Sequence, residues 1–329
     1  MRIGVFCSGG DAPGMNACVR AVVRSGLAAG QEVVGVRRGY QGLLEEDFFV
    51  AADGQPRMTL RSVSGLSPLG GTILKTSRSE EFRTEAGQRK ASGILRKHRI
   101  DALVAIGGDG TFRGAVALAN HWNGRIIGCP GTIDNDLLGT DFTIGFHTAV
   151  QTAVEAVDKL RDTAESHERM FLVEVMGRHS GCIALYTALA AGAEVACIPE
   201  TPTDVPKIID KLKALKARGK KSIIVIVAEG DEAGGVAKLT EGLSAANCPF
   251  ETRAVVLGHL QRGGSPVPPD RILATRLGDF AVRAVLEGRS GAMAGEIGGK
   301  LLLTPFPETF AQHNPVPPDL VALLETTAT

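Results

Sequence analysis

Ala102-Leu-Val-Ala-Ile-Gly-Gly-Asp-Gly-Thr111 passes from an unbroken apolar run into three glycines set around one aspartate, and the segment after it, 112–121, has helical spacing. An apolar run closed by glycine reads as a strand buried on both faces, and strand, glycine turn and helix in that order form the unit of a parallel, doubly wound sheet. A second such run, Arg125-Ile-Ile-Gly-Cys129, feeds directly into Pro130-Gly-Thr-Ile-Asp-Asn-Asp136. A strand-end loop without side chains admits phosphate oxygens close to the backbone, and a helix beginning near Thr111 would turn its partial positive charge on them. Carboxylates beside such a loop suit a metal ion and a base, so the chemistry indicated is phosphoryl transfer.

Outward from these clusters, apolar runs predict further strands at 3–7, 33–36, 170–175, 195–198, 222–228 and 254–257. Helical spacing recurs at 15–29, 147–164, 183–191, 205–218 and 272–286. Alternation of this kind predicts an α/β protein of doubly wound domains with mainly parallel sheets flanked by helices, whose ligands sit at the carboxyl ends of the strands. Three glycine-rich loops are placed there, beginning at Ser8, Gly107 and Gly258. A change of composition near 137–146 suggests a first domain boundary. Pro-Val-Pro-Pro-Asp occurs at 266–270 and at 315–319, but proline and aspartate near helix starts account for it without internal duplication.

With 329 residues, 44% of them hydrophobic and 22% charged, the chain has enough apolar material for two cores and is not disordered. Lys plus Arg equals Asp plus Glu at 36 each, so no global field draws nucleic acid, and anion binding must come from local clusters. The six cysteines form no CxxC pair, so nothing among them reads as a zinc site, and they suit buried thiols in a reducing cytoplasm. The chain opens on a strand rather than a leader, and no apolar stretch approaches the ~20 residues of a membrane span, so a cytoplasmic location is expected.

Gly107-Gly-Asp-Gly-Thr111 alone fits nicotinamide-nucleotide, lipid and sugar-phosphate kinases. Asp109 is placed to hold Mg²⁺, which takes one or two protein carboxylates and fills its shell with water and phosphate. There is no GxxxxGK[ST] loop, and His98-Arg-Ile-Asp101 matches only a fragment of the protein-kinase motifs. In Thr132-Ile-Asp-Asn-Asp136, Asp134 is the expected general base, while Asp136 orders the loop or the waters of the metal; an Asx-turn cluster would explain Asn135 and Asp136 but not the whole string.

These clusters stand in family order with Ser8-Gly-Gly-Asp-Ala-Pro-Gly-Met-Asn16, Gly39-Tyr-Gln-Gly42, Gly70-Gly-Thr72, Thr76-Ser-Arg78, Ser166-His-Glu-Arg169, Val173-Glu-Val-Met-Gly-Arg178, Glu251-Thr-Arg253 and Leu257-Gly-His-Leu-Gln-Arg-Gly-Gly-Ser-Pro266. The chain therefore resembles the bacterial-type ATP-dependent 6-phosphofructokinases from Ile3 to about Leu286. The resemblance implies a larger ATP-binding domain at 1–145 plus about 261–307, a smaller sugar-phosphate domain at 146–260 plus about 308–329, and an active site in the cleft between them. It implies ATP at Gly10, Arg78, Ser79, Gly108, Asp109, Gly110 and Thr111, with Mg²⁺ at Asp109. Fructose 6-phosphate is implied at Thr132, Ile133, Asp134, Met176, Gly177, Arg178, Glu229, His259, Leu260, Gln261 and Arg262, joined by Arg169 and Arg253 of a neighbouring subunit in a homotetramer. Arginine's planar fork suits the 6-phosphate, Glu229 can accept from sugar hydroxyls, and Arg78 and Arg178 would neutralise the transferring group.

Pyrophosphate-dependent relatives usually carry Asp and Lys where this chain has Gly110 and Gly131. Both glycines are expected to leave room beside the phosphates, which favours ATP, although Lys75 adds a charge near the nucleotide loop. The resemblance also implies an effector site holding a nucleoside diphosphate between subunits. Arg20, Arg24, Arg161, Arg218 and Lys220 match or approximate its cations, but Gly65, Ser222 and Leu60 replace expected members, so weakened or altered control is expected. The rival readings are a pyrophosphate-using or dual-donor enzyme and a nucleotide-binding regulatory protein without turnover. A dehydrogenase is disfavoured because no GxGxxG follows the first strand.

Overall fold

In a computed structural model, which describes residues 1–328, the chain is a mixed α/β protein whose largely parallel sheets are flanked by helices. The first part comprises β1 (Arg2–Cys7), α1 (Met15–Ala28), β2 (Glu32–Val36), α2 (Gly39–Leu44), α3 (Glu85–Lys97), β3 (Ala102–Gly107), α4 (Asp109–Ala119) and β4 (Arg125–Pro130). Next come α5 (Phe146–His167), β5 (Met170–Val175), α6 (Cys182–Ala191), β6 (Val195–Cys197), α7 (Val205–Ala217), β7 (Ile223–Ala228), α8 (Gly235–Ala245) and β8 (Thr252–Val256). The chain finishes with α9 (Pro268–Leu286), β9 (Ala292–Ile297), β10 (Lys300–Pro305), α10 (Phe306–Thr309) and α11 (Pro318–Thr327).

Two compact units result. Unit 1 comprises 1–133, 137–147 and 262–312, and unit 2 comprises 134–136, 148–261 and the chain from 313 on. Unit 1 holds a six-stranded sheet in the order β10-β9-β4-β3-β1-β2, parallel except for the β9/β10 hairpin. Phe6, Tyr40, Leu103, Phe112, Trp122 and Phe306 are among the side chains of one buried cluster in it. Along the other face Gly278 brings α9 close to α1, because a Cβ there would stand 2.8 Å from Ala21 Cβ and 2.9 Å from Cys18 O. Unit 2 holds the all-parallel sheet β6-β7-β5-β8, with Leu172, Val225, Leu212 and Leu239 in its core.

The apolar runs mark the eight expected strands to within a residue or two; β8 lies two residues earlier than the run at 254–257 suggests. α4 starts at Asp109 rather than near Thr111, while α2, α3, α8, α10, β9 and β10 are additions to the expected set. Asp270 in the first proline-rich repeat is no exposed cap: it is fully buried and accepts a 2.9 Å hydrogen bond from Gly145 N.

Candidate active site

In unit 1, β2 and β4 lie on opposite sides of the adjacent pair β1 and β3, so the strand order reverses at that pair. Open α/β sheets bind ligands beyond the carboxyl ends of the strands at such a reversal. The loops that leave the two strands there are Ser8-Gly-Gly and Gly107-Gly-Asp-Gly. They are tied together: Ser8 N donates to Ile106 O at 3.0 Å, and Thr111 Oγ1 donates to Ser8 O at 3.0 Å. A Cβ on Gly107 would collide with both Thr111 Oγ1 and Ser8 O. The Tyr40 hydroxyl donates to Thr111 O at 2.8 Å, and burial pushes its pKa far upward, so it remains a donor. Tyr40, stacked on Phe82 at 3.9 Å, thus anchors the first turn of α4 and is a site-building residue that the motif Gly39-Tyr-Gln-Gly42 names without explaining.

Gly108 caps α4 in an extended conformation, with Asp109 as the first helical residue. The first-turn N–H groups of such a helix lack intrahelical partners and can donate to a phosphate. β4 pairs with β3 in parallel with Gly107 opposite Pro130, and Gly131 N donates to Gly107 O at 3.0 Å. This register brings Thr132 beside Gly108, where a Cβ would lie 3.5 Å from Thr132 Cβ.

The glycines differ in what they make room for. At Gly110 an added Cβ would meet nothing within 4 Å, so protein packing does not require glycine there. At Gly131 a Cβ would stand 3.0 Å from both Ile106 Cγ2 and Met15 Cε, so a side chain there is accommodated only if those two give by a few tenths of an ångström. At Gly10 the space is taken by Arg262, whose Nη1 would lie 2.7 Å from a Cβ and donates to Asp11 O at 3.1 Å. Arg78 is exposed, and neighbouring Ser79 donates through Oγ to Gln41 Oε1 at 2.7 Å. Lys75 is also exposed, in a left-handed turn with φ 55°.

Asp109 pairs with Arg113 one turn along α4, Oδ1 to Nε 2.5 Å, and the Arg113 guanidinium lies 4.3 Å from the Phe310 ring centroid. The i,i+4 spacing of Asp109 and Arg113 was readable from the sequence. Among the described residues no three His, Cys, Asp or Glu side chains gather to hold a metal. A half-exposed carboxylate at a helix start, next to the unobstructed Gly110, nevertheless fits magnesium held mainly by phosphate and water.

In unit 2, β7, β5 and β8 are parallel neighbours, so the residues beyond their carboxyl ends converge: Glu229, the turn 176–178 and the 3₁₀ turn Gly258–Arg262. Gly177 N and Arg178 N donate to Glu229 Oε1 at 3.3 and 2.9 Å, and Met176 N donates to Gln261 Oε1 at 2.9 Å. Arg178 has φ 53°, a left-handed conformation that costs on the order of 1–3 kcal/mol for a side chain of this kind. Its Nε lies 3.8 Å from Asp134 Oδ2; Asp134 is 3% exposed, while the Arg178 side chain is 54% exposed. A buried carboxylate facing a solvent-reaching guanidinium can take up a proton while the cation meets an anionic group.

Ile133 and Gln261 differ from the other expected sugar contacts in their exposure. Both are fully buried, Gln261 against the 176–178 turn, whereas His259 and Leu260 are exposed. Arg169 and Arg253 are placed elsewhere. Both pair with Glu251 at the amino ends of β5 and β8, Arg169 at 3.1 Å. Arg178 follows the carboxyl end of β5, six residues in length, so a strand rise of ~3.3 Å per residue sets the two ends roughly 17 Å apart within one chain. Of the effector candidates, Arg161 donates to Ala191 O and Gly192 O at the end of α6, and Lys220 pairs with buried Glu194. Arg24 and Arg218 are exposed and Arg20 half-buried.

The phosphofructokinase family profile matches residues 2–285. ATP-dependent 6-phosphofructokinase 1 of Thermus thermophilus is 52% identical over 327 residues, 99% of each chain. A relative from Cytophaga hutchinsonii, named ATP-dependent 6-phosphofructokinase, is 48% identical over 98% of this chain and 97% of its own. Among solved structures, phosphofructokinase from Saccharomyces cerevisiae superposes with a TM-score of 0.84 at 36% identity, covering 99% of this chain, which spans only 46% of the yeast chain. With motifs, strand-end geometry and near-complete coverage in agreement, this chain belongs to the phosphofructokinase family.

Proposed function

We propose that the chain transfers the γ-phosphoryl group of MgATP to the 1-hydroxyl of D-fructose 6-phosphate, giving fructose 1,6-bisphosphate and ADP, the committed step of glycolysis. The observation that carries this reading is the approach of Arg178 Nε to buried Asp134 Oδ2 at 3.8 Å, on a turn fixed by side-chain acceptors. Asp134 accepts the proton of the 1-hydroxyl as its oxygen bonds to the γ-phosphorus and the bond to the ADP oxygen breaks. Arg178 and Arg78 offset the charge on the transferring group, and the N–H groups at the start of α4 receive phosphate oxygens. Bound magnesium, held through Asp109, would neutralise charge on the phosphates. Glu229 spends Oε1 on the turn, which leaves Oε2 to accept from a sugar hydroxyl.

ATP rather than pyrophosphate is supported by Gly110, whose missing side chain serves no packing need, and by the names of relatives at about half identity. A regulatory protein without turnover is disfavoured by the intact set Asp109, Thr132, Asp134 and Arg178. Because Arg169 and Arg253 lie at the far end of β5 and β8, their part in binding the 6-phosphate requires a second copy of the chain, and a homotetramer with shared sites is the assembly we propose. Exposed Val256 (59%) and Leu260 (70%) on and after edge strand β8 suit such burial. Effector control is expected to be weak, since Arg161 and Lys220 are engaged within the chain. A several-fold shift in fructose 6-phosphate half-saturation by ADP or phosphoenolpyruvate would contradict that. The six free thiols and the absence of any helix long and apolar enough to cross a membrane among the described residues suit a cytoplasmic enzyme.

The test is a coupled assay of purified protein with fructose 6-phosphate and Mg²⁺, offering ATP or pyrophosphate. Turnover with ATP is expected. Turnover with pyrophosphate alone would overturn the donor, and turnover with neither would favour the regulatory reading.

A further inference from the structure

We infer that Gln261 is a positioning residue for phosphoryl transfer and acts through Arg178; the inference rests on the reading of Arg178 as the cation that meets the transferring group. Three consecutive backbone N–H groups, of 176, 177 and 178, each donate to a side-chain acceptor, the first to Gln261 Oε1 at 2.9 Å and the others to Glu229 Oε1. This is an unusual expenditure of side chains on one turn. Its purpose is legible in the backbone: Arg178 is left-handed at φ 53°, and Gly177 has φ 144°. Neighbouring glycines close the turn further, because a Cβ on Gly177 would strike Ser180 O and one on Gly230 would strike Arg178 O. A sparsely populated conformation persists only where its surroundings over-determine it.

Gln261 is the part of that restraint that comes from the β8 side. It lies in the Gly258–Arg262 turn, which also carries exposed His259, so one side chain sets the distance between two stretches expected to hold the sugar phosphate. With 0% exposure it cannot touch a ligand itself. Its Nε2 is buried without a hydrogen-bond partner, a cost to stability that an apolar side chain of the same length would avoid. What the glutamine supplies is the acceptor oxygen, aimed at the residue two before Arg178.

The experiment compares Gln261→Met, which keeps length and loses the acceptor, with Gln261→Glu, which keeps an acceptor oxygen. Each is made in the wild-type and Arg178→Ala backgrounds, with melting temperatures recorded to confirm folding. A misplaced catalytic cation should lower kcat roughly 10- to 100-fold in Gln261→Met, with KM for ATP within about twofold, and Gln261→Glu should recover all but about threefold. In Arg178→Ala the same Met substitution should cost less than about twofold, because the group it positions is gone. Equal losses in both backgrounds, a Met variant as active as wild type, or a Glu variant as weak as Met would each overturn the inference. Should Gln261→Met not fold, Gln261→Asn, which withdraws the oxygen from Met176, is read by the same criteria. Wild-type protein without ATP-dependent turnover would overturn the functional reading, and the role of Gln261 with it; failure of the inference alone appears only in active protein.

Discussion

Arg178 Nε stands 3.8 Å from Asp134 Oδ2, too far for a short hydrogen bond and near enough for strong attraction. The guanidinium is therefore directed at the site without being locked to the carboxylate. Removing it should leave the fold intact, because the side chain is more than half exposed. Arg178→Ala is expected to lower kcat by roughly 10²–10³-fold, the usual loss for one preorganised charge-stabilising donor. A loss below about threefold in steady-state assays would remove Arg178 from the chemistry.

The separation of Arg169 and Arg253 from Arg178 along β5 gives a test of shared sites. Arg253→Ala should raise KM for fructose 6-phosphate with little change in KM for ATP. Asp134→Asn and Arg253→Ala chains, each impaired alone, should regain activity when co-expressed, since a mixed oligomer can assemble some sites with neither change. No regain in verified mixed oligomers would place both arginines outside the active site.

Gly110 and Gly131 should respond differently to substitution. Gly110→Asp faces open space, so its melting temperature should stay near that of wild type while kcat/KM for ATP falls. Gly131→Lys presses on Ile106 and Met15, and the expected overpacking cost of about 1–3 kcal/mol would be read by a denaturant titration. If Gly131→Lys were as stable as wild type, the packing reason for that glycine would be wrong.

The sequence made β3 and β4 legible because strands buried on both faces need uninterrupted apolar runs, and both runs end in glycine or proline. The β9/β10 hairpin escaped because half of β9 is alanine or glycine and a glutamate interrupts it before Ile297. Its one clear signal was Gly298-Gly299, whose φ values of 54° and 77° match a tight hairpin turn. α4 starts two residues before Thr111 despite the poor helix propensity of Gly110, since ties from Tyr40 and Ser8 hold that turn from outside the helix. The burial of Gln261 and the close contacts at Gly131 could not be read locally. Both depend on which side chains distant parts of the chain bring against them, and a motif records only that the letter is required.

His147, half-buried beside the Phe142 and Phe146 rings, has its pKa lowered by burial, with the Asp270 carboxylate opposing the shift. A folded value below the ordinary ~6.5 means that the unfolded chain takes up the proton first as pH falls. This group's contribution to stability is complete above about pH 6.5, declines below it and levels off beneath the folded pKa. His147→Gln should therefore show a smaller drop in urea midpoint between pH 7.5 and 5.5 than wild type. An equal drop would show that other groups carry the dependence.

The claim on which the rest depends is that Asp134 takes the proton of the attacking hydroxyl. Its most direct test is kcat for Asp134→Asn at saturating MgATP and fructose 6-phosphate, with binding of both measured separately. Loss of a general base predicts a fall of roughly 10²–10⁴-fold with both substrates still bound. An unchanged kcat would contradict it.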